Sequence, residues 1–342
     1  MGTFRSARPL LQIVCKIRLN TSSSARHKRC EPIRKGGVII IAIQRILCPT
    51  DLSTESDEAL RYAVALSSVY NAKLFVLYCR ETGVNNSGRA HCVETTPLFI
   101  ASLAPNLGLK SISELNWEGL VAENVDDVGR TIVREAAKHE ADLIVMRSRR
   151  RPHAAALLGS TAETVSRTAP CSVLVTHPRE REWVSFSTGE IDLNRILVAR
   201  DFSADSELAL KYGLSLAQEY QAELHLLHVL SKEERDQPEV AWAQAASESG
   251  YKNAALQLQA AIPKDAFLWC KIVNAVSCGN AYQEVLTYAK EHDIDLICMG
   301  ASGTRFILSV LFGSNTDRVL RQASCPVLIA RPTKNAATQS TR

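Results

Sequence analysis

The stretch Arg45–Cys79, RILCPTDLSTESDEALRYAVALSSVYNAKLFVLYC, decides the fold because the chain contains it twice. Laid over Arg195–Val229, RILVARDFSADSELALKYGLSLAQEYQAELHLLHV, it aligns without a gap at an offset of 150, with 14 of 35 positions identical. Further on, HEADLIVM from His139 matches HDIDLICM from His292 at an offset of 153. TAPCSVLVTHP from Thr168 then matches QASCPVLIARP from Gln322 at an offset of 154. A period that drifts so little marks a tandem duplication of one unit of about 140 residues, a normal domain size. The boundaries read as a basic extension over 1–37, a first domain over 38–178, a polar linker over 179–193, a second domain over 194–333 and a tail over 334–342.

Within each unit, apolar strand-like runs alternate with amphipathic segments. A first strand ends near Cys48 or Ala199. A turn with capping residues follows (Asp51 and Ser53; Asp201 and Ser203), then a helix. LFVLYC and LHLLHV read as the second strand. The third lies near Leu115–Ala122 in one unit and at AFLWCKIV in the other. A helix ends at His139 or His292, DLIVM or DLICM makes the fourth strand, and a last helix leads to VLVT or VLIA. Such alternation predicts an α/β fold of two tandem doubly wound domains. Each has a five-stranded parallel sheet of Rossmann-like type covered on both faces. Ligands of such sheets bind beyond the carboxyl ends of the strands.

Bulk properties exclude several classes. Of 342 residues, 46% are apolar and 22% charged, as in globular proteins. The longest apolar run, GGVIIIAI, stops at Gln44 and Arg45, short of the roughly 20 residues a membrane span needs. The net charge of +4 is unevenly spread: residues 1–37 set many Arg and Lys against Glu31, the one acid there. A basic nucleic-acid surface over the whole protein is therefore not implied. That extension reads as a disordered arm or a start placed upstream of the real one, with a transit peptide as the alternative. Ten cysteines are scattered with no CxxC pair. Cys48, Cys79, Cys171, Cys298 and Cys325 fall in or beside strand-like runs and read as buried thiols in a reducing, cytoplasmic setting.

The second unit carries MGASGTRFILSVLFGSN, Met299–Asn315, with the spacing G-x2-G-x9-G-S-N. Glycine costs roughly 1 kcal/mol in a helix interior, so these three need a reason. Gly300 and Gly303 let backbone N–H groups approach a ligand, and Gly313 with Ser314 opens a helix whose first N–H groups attract anions. The spacing is neither a Walker A loop nor GxGxxG nor GxSxG. It resembles the nucleotide-binding signature of the universal stress protein family, and the resemblance runs through both repeats. GNAYQEVLTYAKEHDIDLICMGASG and GSNTDRVLRQASCPVLIARP are especially similar to that family.

The resemblance implies ATP, accompanied by Mg2+, in the second unit. Asp201, with Ala199 and Arg200 beside it, and Val229 would then meet the adenosine, and Gly300, Gly303, Gly313, Ser314 and Asn315 the phosphates and ribose. The family's Pro-x-Asp is here Ala199-Arg200-Asp201. The first unit keeps Asp51, Gly159 and Ser160 but has Arg147 and Arg150 where the loop glycines belong, and Asp126 where Gly279 stands. It reads as a degenerate site, with side-chain anion binding by RSRRR as the alternative. No catalytic constellation emerges: His225 and His228, three apart on a strand, point to opposite faces, which disfavours a shared metal. Asp57 and Glu58 read as solvated carboxylates on an exposed helix face. The resemblance also implies pairing through strand five, either between chains or between the two repeats. The function expected is a nucleotide-responsive stress or regulatory factor and not an enzyme, with slow ATP hydrolysis left open and no residue assigned as its base, and with no membrane or nucleic-acid partner. A nucleotide-independent interaction scaffold is the alternative.

Overall fold

A computed structural model describes residues 41–81, 115–148, 158–177, 183–184, 191–230, 241–302 and 312–332. The basic extension, the tail, Arg150, Gly303 and most of the expected linker lie outside the described residues. The first repeat comprises β1 (Arg45–Thr50), α1 (Thr54–Tyr70), β2 (Lys73–Glu81), β3 (Trp117–Val125), α2 (Val128–Lys138), β4 (Leu143–Arg147), α3 (Ser160–Thr168) and β5 (Ser172–Thr176). The second comprises β6 (Arg195–Arg200), α4 (Ala204–Tyr220), β7 (Glu223–Leu230), α5 (Ala241–Ala260), a 3-10 turn (Lys264–Leu268), β8 (Ile272–Cys278), α6 (Ala281–Glu291), β9 (Leu296–Gly300), α7 (Ser314–Gln322) and β10 (Val327–Ala330).

The strands form one ten-stranded sheet in the order β3-β2-β1-β4-β5-β10-β9-β6-β7-β8. Each repeat supplies five parallel strands; the central ones are near-continuous apolar runs, as cover on both faces requires, while the edge strands β3 and β8 are partly exposed. The halves meet where β5 and β10 run antiparallel, with Val173 opposite Ile329, Leu174 opposite Leu328 and Val175 opposite Val327. At the offset of 154, Leu174 faces its own counterpart, so a pseudo-two-fold axis passes through this pair. Strand five therefore pairs within the chain. Its other side is taken by β4 or β9, and among the described residues the sheet's edges are β3 and β8.

The same devices build both halves. Ser53 and Ser203 cap α1 and α4 by accepting from the N–H of Ser56 and Ser206. Asp51 and Asp201 in turn accept from the backbone and hydroxyl of Ser53 and Ser203. Asp142 receives the N–H groups of Gln44 and Arg45 at 2.9 Å each, and Asp295 those of Asn194 and Arg195 at 2.9 and 2.8 Å, which sets the start of β1 and β6.

Around the pseudo-axis, Arg331 of the second repeat donates to the carbonyls of Ala169 and Ser166 at 2.7 and 3.0 Å, capping α3 of the first. Between the polar ends of the connecting segment, Trp183 and Val184 are fully buried. Trp183 packs edge-on against Tyr62, with Tyr220 on its other flank. The linker thus contributes to the core, which its polar composition conceals.

Three local readings are corrected. AFLWC is not strand: Ala266–Leu268 end the 3-10 turn, Leu268 is 86% exposed, and β8 begins at Ile272. Glu58 is not merely solvated, since it pairs with Arg147, and Asp57 is half-buried, which pushes its carboxyl above the usual range. Among the cysteines, Cys48, Cys171, Cys298 and Cys325 are buried, but Cys79 is only half so. Burial pushes the Cys171 thiol up to about 12.

Candidate nucleotide cleft

At the carboxyl ends of β6, β7, β8 and β9 the second repeat forms a cleft of about 1160 Å³. Ala199, Arg200, Asp201, Val229, Gly300, Gly313, Ser314 and Asn315 all line it. Eight of the nine positions singled out in the second unit therefore converge, and the ninth, Gly303, lies outside the described residues.

The electrostatics come from helix ends. The helices α1, α2 and α4 are capped by the side chains of Ser53, Asp127 and Ser203. By contrast, α6 starts at Asn280 and α7 at Gly313 without a side-chain cap bond, and the first turns of both line the cleft. Two uncapped N-termini aimed at one space leave several backbone N–H groups and two positive dipole ends for an anion. Gly279, just before α6, has φ +154°, a conformation that side chains rarely adopt, and Glu284 lies against it.

Other positions behave differently from expectation. Gly300 is packed against α4: an added Cβ would lie 2.8 Å from Asp205 Cβ and 2.9 Å from the Ser206 nitrogen. Its carbonyl accepts from the Thr316 hydroxyl at 2.8 Å. This glycine is needed for the approach of strand to helix, a demand the sequence does not display. Asp205 also receives the Ser302 N–H at 3.1 Å and its hydroxyl, so it ties the start of the glycine loop to α4. The Arg200 side chain is 4% exposed and pairs with Glu207 at 2.9 Å, while its Nε and Nη1 have no hydrogen-bond partner among the described residues. Its carbonyl accepts from His228 Nδ1 at 2.7 Å, which fixes that imidazole, stacked on Phe202, at the rim. His225 lies on the opposite face against Tyr288 and His292. Among the described residues no group of three His, Cys, Asp or Glu side chains has metal-ligand geometry.

The corresponding end of the first repeat is built otherwise. Arg147, at the position of Gly300, has a side chain 9% exposed and bound to Glu58. Asp127, at the position of Asn280, accepts from the Arg130 N–H at 2.9 Å and so occupies the end of α2 with its own carboxylate. Gly129 lets α2 and α3 close up, since a Cβ there would lie 2.7 Å from Thr164 Cβ. In the second repeat the same two positions are Tyr282 and Arg318, stacked at 4.8 Å, a wedge that keeps α6 and α7 apart. Asp51 and the uncapped Gly159-Ser160 turn persist. Sequence reasoning passed over Asn280 and Tyr282; comparing them with Asp127 and Gly129 in the other repeat would have found them.

The model of the universal stress protein family matches residues 42–90, 121–177 and 193–331, in both repeats. The chain belongs to the universal stress protein family. The universal stress protein Slr1230 of Synechocystis is 25% identical over 324 residues, which is 84% of this chain and 100% of that one, so the match runs through both repeats of this chain. The universal stress protein MJ0531 of Methanocaldococcus jannaschii is 30% identical over 149 residues, 43% of this chain and 86% of its own length. In fold, the chain is similar to a solved structure of PA1789 from Pseudomonas aeruginosa, titled functionally unknown, with a TM-score of 0.64 at 18% identity, covering 87% of this chain and 95% of that one. No helix among the described residues of this universal stress protein is long and apolar enough to cross a membrane.

Proposed function

We propose that this universal stress protein binds ATP in the second repeat and acts as a nucleotide-responsive regulatory factor, with the first repeat lacking a working site. The observation that carries the reading is the pair of uncapped N-termini, α6 and α7, facing one cleft. The triphosphate would lie against Gly313, Ser314 and Asn315, and the adenosine at the ends of β6 and β7 by Ala199, Arg200, Asp201 and Val229. Mg2+ would ride on the phosphates, as this hard ion commonly does, with most of its shell as water. The chain's own part is to bind and orient the nucleotide; no side chain is assigned as a hydrolytic base, and the reading is of a binding module in the cytoplasm.

The steric role of Gly300 favours a second reading, in which the glycines serve packing alone and the protein is a nucleotide-independent scaffold. One experiment separates the two. The nucleotide released on denaturing the purified protein is quantified for the wild type and for Asn280→Asp, which copies Asp127. The carboxylate should cap α6 and leave stability equal or higher, while displacing the anion and weakening ATP by roughly tenfold. About one equivalent of ATP in the wild type, clearly reduced in the variant, supports the site; no ATP in either, or an equal amount in both, counts against it, and no ATP in either leaves the scaffold reading.

A further inference from the structure

We propose that Arg167, a residue of the first repeat, is a positioning residue for the phosphate subsite of the second; this rests on the nucleotide reading above. Arg167 sits on α3, beside α7 across the pseudo-axis. Its Nη2 lies 3.0 Å from Asp317 Oδ1, and its guanidinium carbon lies 5.5 Å from the centre of the Phe312 ring. Phe312 immediately precedes Gly313, the N-cap of α7, and Asp317 is in the first turn of that helix. One side chain from the other repeat thus holds both flanks of the Gly313-Ser314-Asn315 turn.

The charge arrangement gives the contact a purpose. A carboxylate in the first turn of a helix competes with an incoming anion for the same positive end. Asp317 is neutralised from two sides, by Arg167 and by Arg321, whose Nε lies 2.8 Å from it. Both arginines also reach Glu163 of α3, at 3.3 and 3.2 Å, so two acids and two bases close a ring across the axis. At the offset of 154, Arg167 is the counterpart of Arg321 and Glu163 that of Asp317, so the ring is symmetric. Phe312 is not: its counterpart in the first repeat is Leu158, which offers no ring for a guanidinium to cover. Among the described residues the extra contact exists only beside the open cleft, where the repeat without a working site holds the turn that meets the ligand.

Calorimetric titration of the full chain with ATP, ADP and adenosine tests this in the wild type, Arg167→Met, Arg167→Lys and Arg331→Met. Arg331 caps α3 across the same interface and, among the described residues, forms no ion pair with Asp317 and no ring contact with Phe312, so its loss reports general loosening. Arg167→Met should weaken ATP about fivefold, ADP less and adenosine hardly at all, as expected for a partly solvated charge acting on phosphates. Arg167→Lys should recover most of that loss, and Arg331→Met should lower the melting temperature while keeping ATP affinity. Unchanged ATP affinity in Arg167→Met overturns the proposal, as does an equal loss for adenosine or an equal loss in Arg331→Met. A wild type that binds no nucleotide overturns the underlying site, and this role with it.

Discussion

Replacing Gly300 by alanine puts the packing argument to a direct test. The new Cβ would stand 2.8 Å from Asp205 Cβ, and 2.9 Å from both the Asp205 carbonyl carbon and the Ser206 nitrogen, where ordinary contact is 3.4–4 Å. Two of those three atoms are backbone, so no rotamer change relieves the crowding. The first turn of α4 must move away from β9 by roughly 0.6–1 Å, and overpacking of this kind costs about 1–3 kcal/mol. Asp205 carries Ser302 with it, so the loop start moves too. At about 2–4 °C per kcal/mol for a chain somewhat smaller than this one, the melting temperature should fall by roughly 2–12 °C. Scanning calorimetry without nucleotide measures this. A variant as stable as the wild type that no longer binds ATP would refute the reasoning and show that Gly300 serves the ligand alone.

Two further outcomes follow from buried groups. Trp183→Ala removes a fully buried ring between Tyr62 and Tyr220 and should cost about 3–5 kcal/mol in urea unfolding, far more than a solvated linker residue would. His225 is held below its usual pKa of 6.5, first by burial and then by His292, Arg195 and Lys271, with Glu223 opposing. Below pH 6.5 the unfolded chain therefore takes up a proton that the folded imidazole refuses, and stability falls as pH falls, by at most about 1.4 kcal/mol per unit. Unfolding curves between pH 7 and 5 should show this slope in the wild type and a shallower one in His225→Leu; parallel slopes would exclude His225 as the cause.

The parts of this molecule written as local pattern were legible in its sequence. The duplication, the alternation of strand and helix, and the convergence of Asp201, Val229 and Gly313–Asn315 at the strand ends follow from spacing, topology and family resemblance. What escaped depends on neighbours remote in sequence. Gly300 sits opposite Asp205, almost a hundred residues away, and nothing near it announces that contact. AFLWC is apolar enough for a strand, yet Phe267 and Leu268 face solvent in a 3-10 turn, because the edge strand starts only after the chain has turned. Trp183 hides in a polar segment whose composition says surface. The first repeat's departure from the second was read from Arg147, Arg150 and Asp126, but Asp127 and Gly129 also shape that end, through a cap and a close helix crossing.

The antiparallel seam between β5 and β10 also bears on how the chain is made. Translation delivers β5 by Thr176, but its partner, Val327–Ala330, emerges only after another 150 residues or so. Throughout that interval the first half carries an unpaired apolar edge next to α3, whose capping arginine, Arg331, is later still. Such an edge is a template for pairing with a neighbouring nascent chain. A transcript truncated just before Val327 would therefore yield a protein with an open seam on each half, prone to exchange strands with its own copies.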